Sequence, residues 1–138
     1  MRIAIVVDAS VLVAALIDGG DDGRWASEQL VGKHLAAPAL LPVEVANILR
    51  RAVAAQSIPD AVASQAHADL MDLPIVLFPY APFGLRVWEL RSNVVCNDAW
   101  YIAIAEALEA PLVTLDVKLA RASGPRCSFV TPRRARRT

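Results

Sequence analysis

The chain has 138 residues, of which 56% are apolar and 20% charged, so it is long enough for one domain with a real core and too apolar for a disordered chain. Its formal charge is zero, yet Arg133, Arg134, Arg136 and Arg137 crowd the last six positions, and without them ten basic residues face fourteen acidic ones. An acidic body excludes a general nucleic-acid binder unless metal ions or a local basic stripe reverse the field.

Ile3 to Val7 is an unbroken β-branched run, the pattern of a strand buried on both faces. Asp8 ends it, and Ala9 to Ile17 reads as a helix starting at once. Asp18 to Gly23 is an acidic, glycine-rich loop without the Lys-Ser/Thr of a phosphate-binding loop. A helix over Arg24 to Val31 follows, with Trp25 turned inward, then a short extended segment over Leu35 to Ala39. Leu41, Val45, Ile48, Leu49, Ala52 and Val53 recur at helical spacing, with Glu44 flanking that stripe and Arg50 and Arg51 outside it. Pro59 is expected at the first helical position of a helix reaching Leu73.

Pro74 to Phe78 is a predicted strand, Pro79 and Pro82 mark a loop, and Gly84 to Ser92 is a helix carrying Trp88. Asn97 is expected to cap a helix running to Glu109 with Asp98 in its first turn. Leu112 to Leu115 is a strand, Val117 to Ala122 a short helix, and Ser128 to Val130 a last strand. The alternation predicts an α/β sandwich with a mostly parallel sheet. Residues 1–132 form one domain and residues 133–138 a basic tail.

Cys96 and Cys127 lack metal-ligand spacing and read as reduced thiols in or near the core. His34 and His67 are isolated. The apolar start is interrupted by Asp8 and Asp18, and the longest uncharged run, Leu73 to Leu85, holds three prolines and is too short for a bilayer. The expectation is a cytoplasmic protein with no membrane association.

Four acids stand at the edges of apolar segments: Asp8, Glu44, Asp98 and Asp116. Each has a bland role, Asp8 and Asp116 as caps, Asp98 as a partner of its helix's positive end, and Glu44 as a half-exposed helix residue. Together they sit after strands or at the adjoining helices, and in an open parallel sheet those ends converge on one crevice. Clustered carboxylates need a cation, and a hard divalent ion prefers oxygen ligands. The other acids lie in polar contexts, and Glu106 is mid-helix, two turns past Asp98, and is left outside the site.

The stretches Ile-Val-Val-Asp8-Ala-Ser10, Pro42-Val-Glu44-Val-Ala-Asn47, Asn97-Asp98-Ala-Trp-Tyr and Thr114-Leu-Asp116-Val-Lys118, in this order over nearly the whole chain, resemble a PIN-domain ribonuclease, in particular a VapC-type toxin of a toxin–antitoxin pair. The resemblance implies a PIN-like α/β/α sandwich and a metal-dependent endoribonuclease, with an acidic pocket of Asp8, Glu44, Asp98 and Asp116 supported by the hydroxyls of Ser10 and Thr114. It also implies Mg2+ or Mn2+ as cofactor, RNA as substrate, a homodimer, and a cognate VapB-type antitoxin. Trp100 departs from the family pattern by its bulk beside Asp98. Two rival functions stand against it. An Asp-nucleophile phosphohydrolase would carry a second Asp two residues after Asp8, where this chain has Ser10. A non-catalytic RNA- or protein-binding module on the same fold would have no use for four retained acids, which repel RNA without metal.

Overall fold

The computed structural model describes residues 4–133, so of the expected basic tail only Arg133 lies within the described residues. The elements run β1 (Ala4–Val7), α1 (Ala9–Ile17), α2 (Asp21–Leu30), β2 (His34–Pro38), α3 (Leu41–Ala54), α4 (Asp60–Asp72), β3 (Ile75–Phe78), α5 (Gly84–Glu89), α6 (Cys96–Leu108), β4 (Leu112–Val113) and β5 (Phe129–Val130). Single 3₁₀ turns cover Ala81–Phe83 and Leu119–Arg121.

The five strands lie in the order β3-β2-β1-β4-β5, and every neighbouring pair is parallel. The sheet is therefore wholly parallel, where the sequence pattern asked only for a mostly parallel one. The chain steps outward from β1 to β2 and β3, then crosses back to β4 on the other side of β1. That reversal makes the gap between the carboxyl ends of β1 and β4 the switch point of the sheet, the place where such folds leave a crevice. Right-handed crossovers put α1 to α4 on one face and α5 with α6 on the other. Helix α6 packs across β1, β2 and β4.

Ile5, Val6 and Val7 are all buried, as a strand covered on both faces requires. Leu12, Leu41, Val45 and Leu49 seal one side of the sheet and Ile102 and Ile104 the other. Ile102 has no exposed surface, so Ile102→Ala should lower the unfolding free energy by about 2–5 kcal/mol, seen as a lower urea midpoint at unchanged slope.

Several boundaries differ from expectation. The loop expected over Asp18 to Gly23 is half helix, because α2 begins at Asp21 and carries Asp21 and Asp22 at its positive end. Gly23 is buried against the end of α1, and a Cβ there would come within 1.7 Å of the Asp18 carbonyl oxygen. Pro59 is the extended cap residue of α4 rather than its first helical position. Asn97 does not cap α6. The extended residue before that helix is Val95, and Asn97 already lies inside the first turn. The last strands are shorter than the apolar runs suggested, and the helix expected over Val117 to Ala122 is one 3₁₀ turn. Cys96 is exposed rather than near the core, because it opens α6 at the rim, and Cys127 is partly buried. Among the described residues no helix is long and apolar enough to cross a membrane.

Candidate active site

Asp8 is the first residue beyond β1 and the cap of α1, with extended backbone that aims its carboxylate back over the sheet end. One oxygen, Oδ1, accepts a 2.6 Å bond from the Ser10 hydroxyl and a 3.1 Å bond from the Val11 N–H. The other, Oδ2, accepts from the Thr114 hydroxyl. The bland role foreseen for Asp8, a helix cap, and its place at the strand end are thus the same position serving both ends. Thr114 is the one buried polar residue among those described, and it stands just beyond β4, across the switch point from β1. Its Oγ1 also accepts the Asp116 backbone N–H at 3.0 Å. Asp116 in turn accepts the Leu119 N–H at 3.1 Å, which ties its carboxylate to the 3₁₀ turn, and its side chain is open to solvent.

Glu44 sits in the first turn of α3 and accepts a 2.7 Å bond from the Tyr101 hydroxyl. Tyr101 is buried on α6, three residues after Asp98. That spacing puts both side chains on one helix face. Sequence reasoning passed over Tyr101. The signal that could have found it is this i, i+3 relation to an acid already singled out.

The electrostatics report how close these groups stand. Burial, then the charges of Asp116, Asp8 and Glu44, push the Asp98 carboxyl up to about 6. Burial, followed by the charge of Asp116, lifts Asp8 against the pull of its hydroxyl and N–H donors. Burial and the charge of Asp8 lift Glu44, opposed by the Tyr101 hydrogen bond. The structure therefore brings Asp8, Glu44, Asp98 and Asp116 within electrostatic reach of each other, with Ser10 and Thr114 holding Asp8. No cationic side chain pairs with any of the four among the described residues.

Glu106 is elsewhere. The Arg86 guanidinium grips it through two bonds of 2.7 and 3.0 Å, and the Arg126 N–H donates a third at 2.7 Å. Against the pull of burial, these donors hold the Glu106 carboxyl below the usual range. Its work is to tie α5 and the segment before β5 to α6.

A group of oxygen donors without a basic partner fits a hard divalent cation. Among the described residues, no three Asp, Glu, His or Cys side chains are placed closely enough to hold one metal ion together. Removing the phenol hydroxyl by Tyr101→Phe leaves Glu44 short of a charge-assisted bond. It should cost about 1–2 kcal/mol in urea unfolding.

The PIN domain family model matches residues 5–125. The chain is 40% identical over 128 residues to Ribonuclease VapC1 of Mycobacterium tuberculosis, covering 90% of this chain and 94% of that one. It is 35% identical over 130 residues to Ribonuclease VapC9 of the same species, covering 94% and 99% respectively. The crystal structure of VapBC-5, a member of the VapBC family of toxin–antitoxin systems from Mycobacterium tuberculosis, is 25% identical. It superposes with a TM-score of 0.55 over 94% of this chain and 98% of that one.

Proposed function

Because the chain belongs to the PIN-domain family and to its VapC ribonucleases, we propose that the carboxylates gathered at the strand ends are its catalytic centre for hydrolysing RNA phosphodiester bonds. The protein is a ribonuclease toxin inhibited by a cognate VapB-type antitoxin, supported by relatives named as ribonucleases and by the VapBC-5 toxin–antitoxin structure. The single observation that carries the site is that Asp98, Asp8 and Glu44 are each lifted, first by burial and then by the charge of a neighbouring carboxylate, with no cationic side chain paired to any of them among the described residues.

Asp8, Asp98 and Asp116 would hold a divalent cation, Mg2+ with Mn2+ as substitute. When bound, the ion supplies charge relief at the scissile phosphate and makes water acidic enough to serve as nucleophile at neutral pH. The protein's own part is positional. Ser10 and Thr114 fix both oxygens of Asp8, so its carboxylate is set before RNA arrives. Tyr101 holds one oxygen of Glu44, and the other would serve either a second cation or the water that the cation makes acidic. No side chain need bond to phosphorus, in keeping with the lack of a second Asp two residues after Asp8.

Two assembly features belong to the same proposal. A homodimer would cover the exposed Leu85, Trp88 and Val95 around α5 and the start of α6. Residues 1–132 act as one domain. The test is incubation of the purified protein with a panel of structured RNAs. Cleavage that stops with EDTA and returns with excess Mg2+ or Mn2+ is the expected result, and cleavage undiminished by EDTA would refute the metal-dependent centre.

A further inference from the structure

The catalytic rim carries an aromatic pair that the chemistry above does not use. Because all strands are parallel, Tyr80, two residues beyond β3, stands at the same edge of the sheet as Asp8 beyond β1 and Asp116 beyond β4. Trp100 stands two residues after Asp98 in α6, whose first turn opens on this edge. The two rings meet edge to face, with centroids 5.3 Å apart and planes at 84°. Tyr80 also lies against Gly84, where an added Cβ would come within 3.1 Å of Tyr80 Cε2. So a ring that is 45% exposed is held from two sides. Its hydroxyl makes no hydrogen bond among the described residues. The Trp100 indole N–H is buried without an acceptor among the described residues.

Resting on the ribonuclease reading, we propose that Tyr80, braced by Trp100 and Gly84, is a stacking platform for one unpaired base of the RNA. A braced aromatic face beside an acidic, cation-dependent site has chemistry for a base's π-face and none for a paired helix, whose bases are stacked inside and out of reach. Stacking on one aromatic side chain supplies about ten- to a hundredfold in affinity whatever the base. An open ring therefore selects for unpairedness more than for sequence. The platform also gives Trp100 a role in RNA preference through the ring it supports.

The experiment uses the unaltered protein in millimolar Ca2+ with Mg2+ and Mn2+ withheld, which should bind without cutting. Its probe is a short fluorescein-labelled single-stranded RNA and a set of the same RNA with one abasic position moved along it. Anisotropy should show affinity falling about tenfold at one abasic position. With Tyr80→Leu added, the intact RNA should bind about tenfold more weakly and the abasic scan should be flat. Tyr80→Phe should keep both the affinity and the abasic profile. A flat scan with Tyr80 in place, or one unchanged by Tyr80→Leu, overturns the platform. Cleavage of the intact RNA by the same protein in Mg2+ or Mn2+ tests the ribonuclease reading separately. A cleaved RNA with a flat scan defeats the platform alone, and absence of both binding and cleavage defeats both.

Discussion

Asp8→Asn should abolish RNA cleavage, by at least about a hundredfold, while the protein stays folded. The substitution keeps the size of a side chain that touches Ser10, Val11 and Thr114. The amide oxygen can still cap α1 through Val11, so the helix start survives. What disappears is one negative charge at the switch point, together with one of the two acceptor oxygens. Because burial already lifts the Asp8 carboxyl, its neutral replacement should not destabilise the fold by more than the lost Thr114 bond. Initial cleavage rates on an RNA the unaltered protein cuts, with circular dichroism on both, separate these effects. Full activity of Asp8→Asn in Mg2+ would remove Asp8 from the centre.

The second large effect is on stability. A carboxylate whose folded pKa is raised favours the fold when protonated and opposes it when ionised. Asp98, lifted from 3.8 to about 6, contributes stability that is fully present below about pH 4 and lost as pH rises through about 6. Asp8 and Glu44 shift in the same direction. Glu106 runs the other way, since its lowered pKa stabilises above the usual carboxylate range and is lost only in stronger acid. Between pH 5 and 7 the acidic rim should therefore dominate, and in EDTA the melting temperature should fall as pH rises. Asp98→Asn should raise stability at pH 7 by about 1–3 kcal/mol and have little effect near pH 4. Mg2+ should reverse the penalty in the unaltered protein, by about 2.7 kcal/mol at a hundredfold excess over its dissociation constant. A melting temperature indifferent to both pH and Mg2+ would show that these charges do not share a site.

What was legible in the sequence was what local pattern controls. The run before Asp8 is apolar at every position because both faces of β1 are covered. The α3 stripe shows its buried side by spacing alone, with Leu41, Val45 and Leu49 buried and Arg50 exposed. Asp8 and Asp116 betray themselves by following strands of a parallel sheet, Asp8 at once and Asp116 three residues on, a property of chain order. The misses lie where tertiary contact overrides local signal. Asn97 has good capping chemistry, but the extended Val95 starts the helix one residue before it. Gly23 looks like loop punctuation, yet it is buried where α2 crosses the end of α1. The Arg86–Glu106 pair spans 20 residues with no periodic relation, so only the fold could join them. The Glu44 partner Tyr101 is 57 positions away from it, though its place three residues after Asp98 puts it on that acid's helix face.

The account stands on separated acids meeting at one cation site, with Asp8, Asp98 and Asp116 as its ligands and Glu44 beside them. The most direct measurement is titration of Mn2+ into the protein, followed by electron paramagnetic resonance of the free ion, for the unaltered chain and for Asp8→Asn, Glu44→Gln, Asp98→Asn and Asp116→Asn. Binding by the unaltered protein, weakened in Asp8→Asn, Asp98→Asn and Asp116→Asn, is the predicted result. No binding by the unaltered protein, or binding untouched by all four substitutions, would contradict it.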